Sequence, residues 1–332
     1  MRGMRKRFSS LIAAVGAAAL ISAGCAKETA APAAAWDELP GDAGVRMYAY
    51  VEDFIRISPR DSGTVGAARA SRWLAEEIRR IGLRPVADCW TETTPFGRKT
   101  FCNVWAEIPG RSGQTVILGS HYDTKSGIPG FQGANDGGSS VGVLLGLMEH
   151  LVENGVRPRD TIRFAFFDGE EAQGTYGETD GLHGSRRMAA QFAARVRRGE
   201  RIPLLACIVV DMVGDRDLRL EIPRNVTPWL ARAARVAVKD HPSGVRFSLN
   251  ESPALIDDHL PFTAYGFAAI DFIDFDYGSS PGRHDYWHTA EDTIDKLDPR
   301  SLYQTGSLVL SLVSCIERDV EVSSKLRKGA PK

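Results

Sequence analysis

Apolar residues recur along this chain with two alternating rhythms. Ala67, Ala70, Trp73, Leu74, Ile78 and Ile81 fall at helical spacing, and Gly82 follows as a stop. Arg98 to Ile108 then reads as a strand, and Val116 to Gly119 as a short buried one. A helix is predicted from Ser139 to Leu151, with Val141, Leu144, Leu145 and Met148 on one face. The alternation continues with a strand over Thr161 to Phe167, a helix over Gly184 to Arg198, a strand over Leu205 to Val210 and a helix over Pro228 to Val238. A strand from Ala268 to Phe275 and a helix from Ser301 to Ile316 close the pattern. Strands alternating with helices predict an α/β fold, a three-layer sandwich whose mixed, mostly parallel central sheet is flanked by helices. Ligand sites in such sheets gather beyond the carboxyl ends of the strands.

The first residues do not follow this pattern. Arg2, Arg5, Lys6 and Arg7 precede an apolar stretch from Leu11 to Ala23, too short to span a bilayer comfortably. Residues 1–24 therefore read as a signal peptide. Ile21-Ser-Ala-Gly-Cys25 resembles a bacterial lipobox, which makes Cys25 the expected lipidation site; an ordinary signal peptide is the plainer reading. Residues 25–40, rich in alanine, read as a lipid-anchored tether, residues 41–320 as one catalytic domain, and residues 321–332 as a polar tail. The expected location is the cell envelope, with the membrane as a partner through the anchor. Loss of the signal peptide moves the formal charge from −1 to about −5. No basic patch remains to suggest nucleic acid.

Cys89 and Cys102 flank the turn-like Thr94-Pro-Phe-Gly97. Outside the cytoplasm they could form a disulfide across a hairpin; two half-buried thiols are the alternative. Cys207 and Cys315 lie in apolar runs, where buried thiols are expected.

Acids and imidazoles cluster at the strand ends. Gly119-Ser-His121-Tyr-Asp123 places two such groups two residues apart, so that one can ligate while the other orients it. Asp136 sits among Gly133, Gly137 and Gly138, where a turn or helix-cap role competes with a ligand role. Glu170 and Glu171 follow an apolar run; adjacent carboxylates repel, and a bound cation would compensate while leaving one of them to move protons. Asp211 follows Ile208-Val-Val at another strand end, and His288 follows Trp287 in a loop-rich segment where His284 is its local rival. Histidine and carboxylate ligands without cysteine suit a catalytic zinc. Taken singly, each residue also fits a surface turn, a cap or a solvated loop.

In this order, the motifs resemble the zinc-dependent aminopeptidase family that includes bacterial secreted aminopeptidases and the transferrin-receptor ectodomain. The resemblance spans about Val51 to Leu312. It implies two zinc ions held by His121, Asp136, Glu171, Asp211 and His288, with Glu170 activating water. Several runs look more like the glutaminyl-peptide cyclotransferase branch: His121-Tyr-Asp-Thr-Lys125, Asp168-Gly-Glu-Glu-Ala172, Thr179-Asp-Gly-Leu-His-Gly-Ser-Arg186, Asp257-Asp-His-Leu-Pro-Phe262 and Trp287-His-Thr289. That resemblance implies one zinc on Asp136, Glu171 and His288. It makes Glu170 the proton carrier, supported by Asp211 and Asp258, and Trp287 a wall of the substrate pocket. Where those cyclases carry a pocket tryptophan, this chain has Tyr176.

Three functions follow. One is a cyclase acting on N-terminal glutamine of peptides or proteins, with Asp123 and Tyr176 supporting the pocket. The second is a two-zinc aminopeptidase that uses His121 and Asp211 for a second ion. The third is an envelope binding protein without catalysis, against which the full ligand set argues.

Overall fold

A computed structural model describes residues 36–200, 204–239 and 250–318. The signal peptide with Cys25, most of the tether and the polar tail lie outside these residues. Among the described residues no helix is long and apolar enough to cross a membrane.

Eight strands form one sheet: β1 (Val86–Thr94), β2 (Gly97–Ile108), β3 (Thr115–His121), β4 (Thr161–Phe167), β5 (Leu204–Asp211), β6 (Glu221–Pro223), β7 (Asn250–Ser252) and β8 (Ala269–Ile273). Their order is β1-β2-β4-β3-β5-β8-β6-β7. The central four, β4, β3, β5 and β8, run parallel. The β1–β2 hairpin adds antiparallel to β4, and β6 adds antiparallel to β8. The sheet is therefore mixed with a parallel centre, as the alternating pattern predicts.

The helices are α1 (Ala43–Phe54), α2 (Val65–Ile81), α3 (Ser140–Glu153), α4 (His183–Arg197), α5 (Pro228–Lys239), α6 (His259–Ala264) and α7 (Pro299–Arg318). Alternation along the strands sorts them into two layers. Val116, Leu118, Ile208, Val210, Ile270 and Phe272 face the core shared with α1, α3 and α7. Ile117, Cys207, Val209 and Ala269 face the opposite core, with Met188 and Phe192 of α4 and Phe262 of α6. Both faces are covered, so the central strands are apolar throughout rather than alternating.

Helix boundaries have local causes. Thr64 caps α2 by accepting from the Ala67 amide at 3.4 Å, and Gly82 ends it in the left-handed region at φ 103°. On α3, a Cβ at Gly142 would stand 2.4 Å from Val51 Cγ2 and 2.6 Å from the Met47 carbonyl oxygen, so glycine is what lets α1 lie this close. Cys89 and Cys102 sit opposite each other in the β1–β2 ladder and are joined by a disulfide.

Candidate active site

The two central parallel strands end in functional side chains. His121 is the last residue of β3 and Asp211 the last of β5, each two positions beyond the paired Gly119 and Val209. Period-two geometry turns both to the same side, and His121 Nε2 lies 3.0 Å from Asp211 Oδ1. Asp136 comes from the entrance to α3. There the backbone leaves helical geometry at Asp136 (φ −74°, ψ 101°) and Gly137 (φ 75°, ψ −33°). Any side chain at Gly137 would press on the His121 ring, 2.9 Å from its Cε1. The kink delivers Asp136 between two imidazoles. Its Oδ1 is 3.2 Å from His121 Nε2 and its Oδ2 3.4 Å from His288 Nε2.

Glu170 and Glu171 follow β4. Asp123 fixes this segment by accepting both backbone amides, Glu170 at 3.1 Å and Glu171 at 3.2 Å, one on each carboxylate oxygen. The expectation that Asp123 orients His121 is thus met only at arm's length, since Nδ1 and Oδ1 are 3.6 Å apart. Glu171 Oε1 lies 2.9 Å from His288 Nε2. Tyr176 donates its hydroxyl to Glu170, at 3.0 Å from Oε1 and 3.3 Å from Oε2.

His288 rests on a loop after β8 with left-handed backbone (φ 53°), as does Met212 just after Asp211 (φ 49°). Such residues cost about 1–3 kcal/mol each and persist where the surroundings over-determine them. Trp287 stacks on His288, with ring centroids 4.1 Å apart. The rival His284 is turned away, with its Nδ1 2.6 Å from the Phe275 carbonyl oxygen.

Among the described residues three groups could hold a metal: His121–Asp136–Asp211 and Asp136–Glu171–His288, with Asp136 common to both, and the separate group Asp257–His259–Asp271. Asp136 Oδ2 and Glu171 Oε2 are buried and accept no hydrogen bond. Lys125 Nζ lies 3.5 Å from Glu171 Oε2, and His288 faces the other oxygen of that carboxylate. Electrostatics points the same way. Burial pushes the Glu170 carboxyl well above its ordinary range, and the neighbouring Glu171 adds to it. Burial and then Asp136 lift Glu171 to about 7. Burial would raise Asp136 too, but His121 and His288 hold it well below the usual carboxylate range. Burial opposes charge on His288, yet Asp136 and Glu171 raise it to about 9. Buried carboxylate oxygens without a hydrogen bond, gathered around two imidazoles, fit a divalent cation, which would offset this crowding.

A cavity of about 260 Å³ opens beside these groups, walled by Trp287, Phe275, Met212 and Ile256 and lined by Glu170 and Asp211. The aspartate that reaches it from the Asp257-Asp258-His259 run is Asp257. Asp258 is fully buried at the start of α6 and does not line the cavity. Burial, followed by the charges of Asp271, Asp211 and Glu170, raises the Asp257 carboxyl. The sequence offered both aspartates side by side, and only the α6 entry decides which one turns inward.

Two contributors carry no sequence signal of their own. Asp292 accepts the amides of Asn135 at 2.8 Å and Asp136 at 3.1 Å, holding the kinked segment from below. Arg60 is fully buried and donates to the carbonyls of Tyr122 (2.9 Å), Gln132 (2.8 Å) and Gly133 (3.0 Å).

Residues 103–313 match peptidase family M28, and the chain belongs to that family. It is similar to the crystal structure of a glutaminyl cyclase from an Acidobacteriales bacterium, with 32% identity, a TM-score of 0.74, and 85% of this chain and 99% of that one covered. It is also similar to Porphyromonas gingivalis glutaminyl cyclase, at 26% identity and a TM-score of 0.70, covering 82% of this chain and 97% of that one. Among curated proteins, a glutaminyl-peptide cyclotransferase-like protein of Bos taurus is 26% identical over 277 residues, 75% of this chain and 70% of the relative.

Proposed function

We propose that this protein is a glutaminyl-peptide cyclotransferase, converting N-terminal glutamine of peptides to pyroglutamate with release of ammonia. The observation that carries the reading is the 32% identity to a solved bacterial glutaminyl cyclase, 99% of which this chain covers. The small cavity supports it: about 260 Å³ lies below the range of drug-sized ligand pockets and suits one side chain beside a stacked tryptophan.

In this reading Asp136, Glu171 and His288 hold one zinc ion, which when bound supplies a Lewis acid for the glutamine side-chain carbonyl. The α-amine of the substrate forms a bond to that carbonyl carbon, and the carbon–nitrogen bond of the carboxamide breaks. Glu170, ionised and held by Tyr176, accepts a proton from the amine and returns it to the departing ammonia. Asp211 and Asp257, both on the cavity wall, receive hydrogen bonds from the amine as charge develops. Trp287 confines the side chain, so that amine and carbonyl meet at attack distance.

A second reading, a two-zinc aminopeptidase, is favoured by one observation: His121, Asp136 and Asp211 form a further donor group that shares Asp136. Purified protein incubated with a glutaminyl peptide separates the two. Ammonia release without free amino acid, with about one zinc per chain, supports the cyclase. Free amino acid with about two zinc ions replaces it by the aminopeptidase.

Export to the cell envelope with a lipid on Cys25 is proposed alongside. It is supported by the lipobox-like run and by the Cys89–Cys102 disulfide, a bond that persists in oxidising compartments.

A further inference from the structure

Next to the small cavity lies a groove of about 1140 Å³, larger than a single side chain or a drug-sized ligand needs. The two share Tyr176 and Ile256, so the groove begins where the cavity ends. One wall is a single face of α4, running from His183 through Arg187, Ala190 and Ala194 to Arg197. At ~1.5 Å rise per residue that wall is roughly 20 Å long, the span of about six residues of extended chain. Trp90, Leu260 and Tyr265 also line the groove. Ile256 and Tyr265 are 54% and 47% exposed, high for large apolar side chains flanking one groove.

Three arginines are spaced along the groove, which Glu92 and Glu178 also line. Arg187 is engaged with Asp88 at 2.6 Å and lies over the Trp90 ring. Arg186 donates to the carbonyls of Gly177 and Glu178 and so braces the turn at the cavity end. Arg197 is exposed at the far end, and among the described residues no acid lies within ion-pair distance of it.

We propose that this groove binds the substrate chain downstream of its N-terminal residue. It would favour peptides with apolar residues just after the glutamine and an acidic residue about six positions on, opposite Arg197. The inference rests on the cyclase reading for what occupies the cavity. Apolar contact along the groove gives affinity, and the terminal ion pair gives a preference for charge.

The test compares a glutaminyl dipeptide amide with octapeptides that carry apolar residues after glutamine and either glutamate or lysine at positions six and seven. The expected result is a kcat/KM about tenfold higher for the glutamate octapeptide than for the dipeptide, carried by KM, and an advantage of about three- to fivefold over the lysine peptide. Arg197→Glu should reverse the charge preference, and Tyr265→Ser should shrink the length advantage, both with dipeptide kinetics unchanged. Equal kcat/KM across length and charge, or variants that alter dipeptide and octapeptide alike, would overturn the proposal. If no peptide is cyclised the reaction assignment fails instead. Fluorescence anisotropy of the labelled octapeptides, with and without Arg197→Glu, then still reads the groove, and binding indifferent to that substitution overturns it.

Discussion

Tyr176 and Glu170 form a hydrogen-bonded pair inside the catalytic cavity, the phenol donating at 3.0 Å to the carboxylate assigned to proton transfer. Glu170 is buried and Tyr176 half-buried, and burial pushes both toward their neutral forms. The tyrosine therefore stays a donor, and its bond favours the ionised carboxylate.

Tyr176→Phe should leave fold and metal content intact and lower kcat by about tenfold, the scale of one hydrogen bond to a charged group. The sign in pH follows. The Glu170 carboxyl already lies above its ordinary range, and losing the donor raises it further. Activity that needs the ionised form should then appear only at higher pH, so the acid limb of the kcat profile moves upward.

The neighbouring glutamates should separate cleanly. Glu170→Gln is expected to keep zinc and lose about 100-fold or more in kcat. Glu171→Gln is expected to lose zinc itself, since its Oε1 faces His288 at 2.9 Å in the shared donor group. Metal analysis of the purified variants beside the activity assay decides this; activity at wild-type level in Glu170→Gln would remove it from proton transfer.

Protons should compete with the metal. Without an ion, Asp136 and Glu171 raise His288 to about 9, so at neutral pH its imidazole is largely protonated and must lose that proton to ligate. Affinity should therefore fall as pH falls, by about tenfold per pH unit for each proton displaced. Zinc retention against a chelator, measured from about pH 8 down to about pH 6, gives the slope, and a flat curve contradicts the ligand assignment.

Arg60 supports the site from outside it. Arg60→Met would strand the carbonyls of Tyr122, Gln132 and Gly133 in a buried place, at a cost of about 3 kcal/mol or more. Urea unfolding should show that loss. Weaker zinc binding should accompany it, because two of those carbonyls lead into the segment that carries Asp136.

Asp257→Asn should lower kcat strongly, by about 100-fold, while Asp258→Asn should act mainly on stability. The distinction rests on Asp257 lining the cavity and Asp258 lying fully buried behind it. Equal kcat losses at unchanged stability would mean that the two act together.

These two aspartates also show how far a sequence can be read. The parallel centre and the clustering of His121, Glu170, Glu171 and Asp211 were legible, because a strand buried on both faces is a run of apolar residues and the acids stand just past its end. Helix α1 was readable from Met47, Tyr50, Val51 and Phe54 at helical spacing, but no side-chain cap marks its start, and it was not predicted. Strands β6 and β7 have three residues each, too few to show a period. Arg60, Asp123 and Asp292 act through backbone groups of distant segments, and no local pattern encodes a partner 72, 47 or 156 positions away.

The hold of Asp292 on the Asp136 amide has a consequence for how the enzyme comes into being. The kinked segment at the head of α3 is secured by a carboxylate 156 residues later, in the same late stretch that supplies His288. A nascent chain that has emerged through β5 carries both glutamates and His121 but neither the third ligand nor the clamp beneath the first. The Asp136–Glu171–His288 group is therefore completed only by the last loop, whereas His121, Asp136 and Asp211 have all emerged with β5. A polypeptide interrupted before that final loop lacks both His288 and the Asp292 clamp, whatever part of its sheet has already formed.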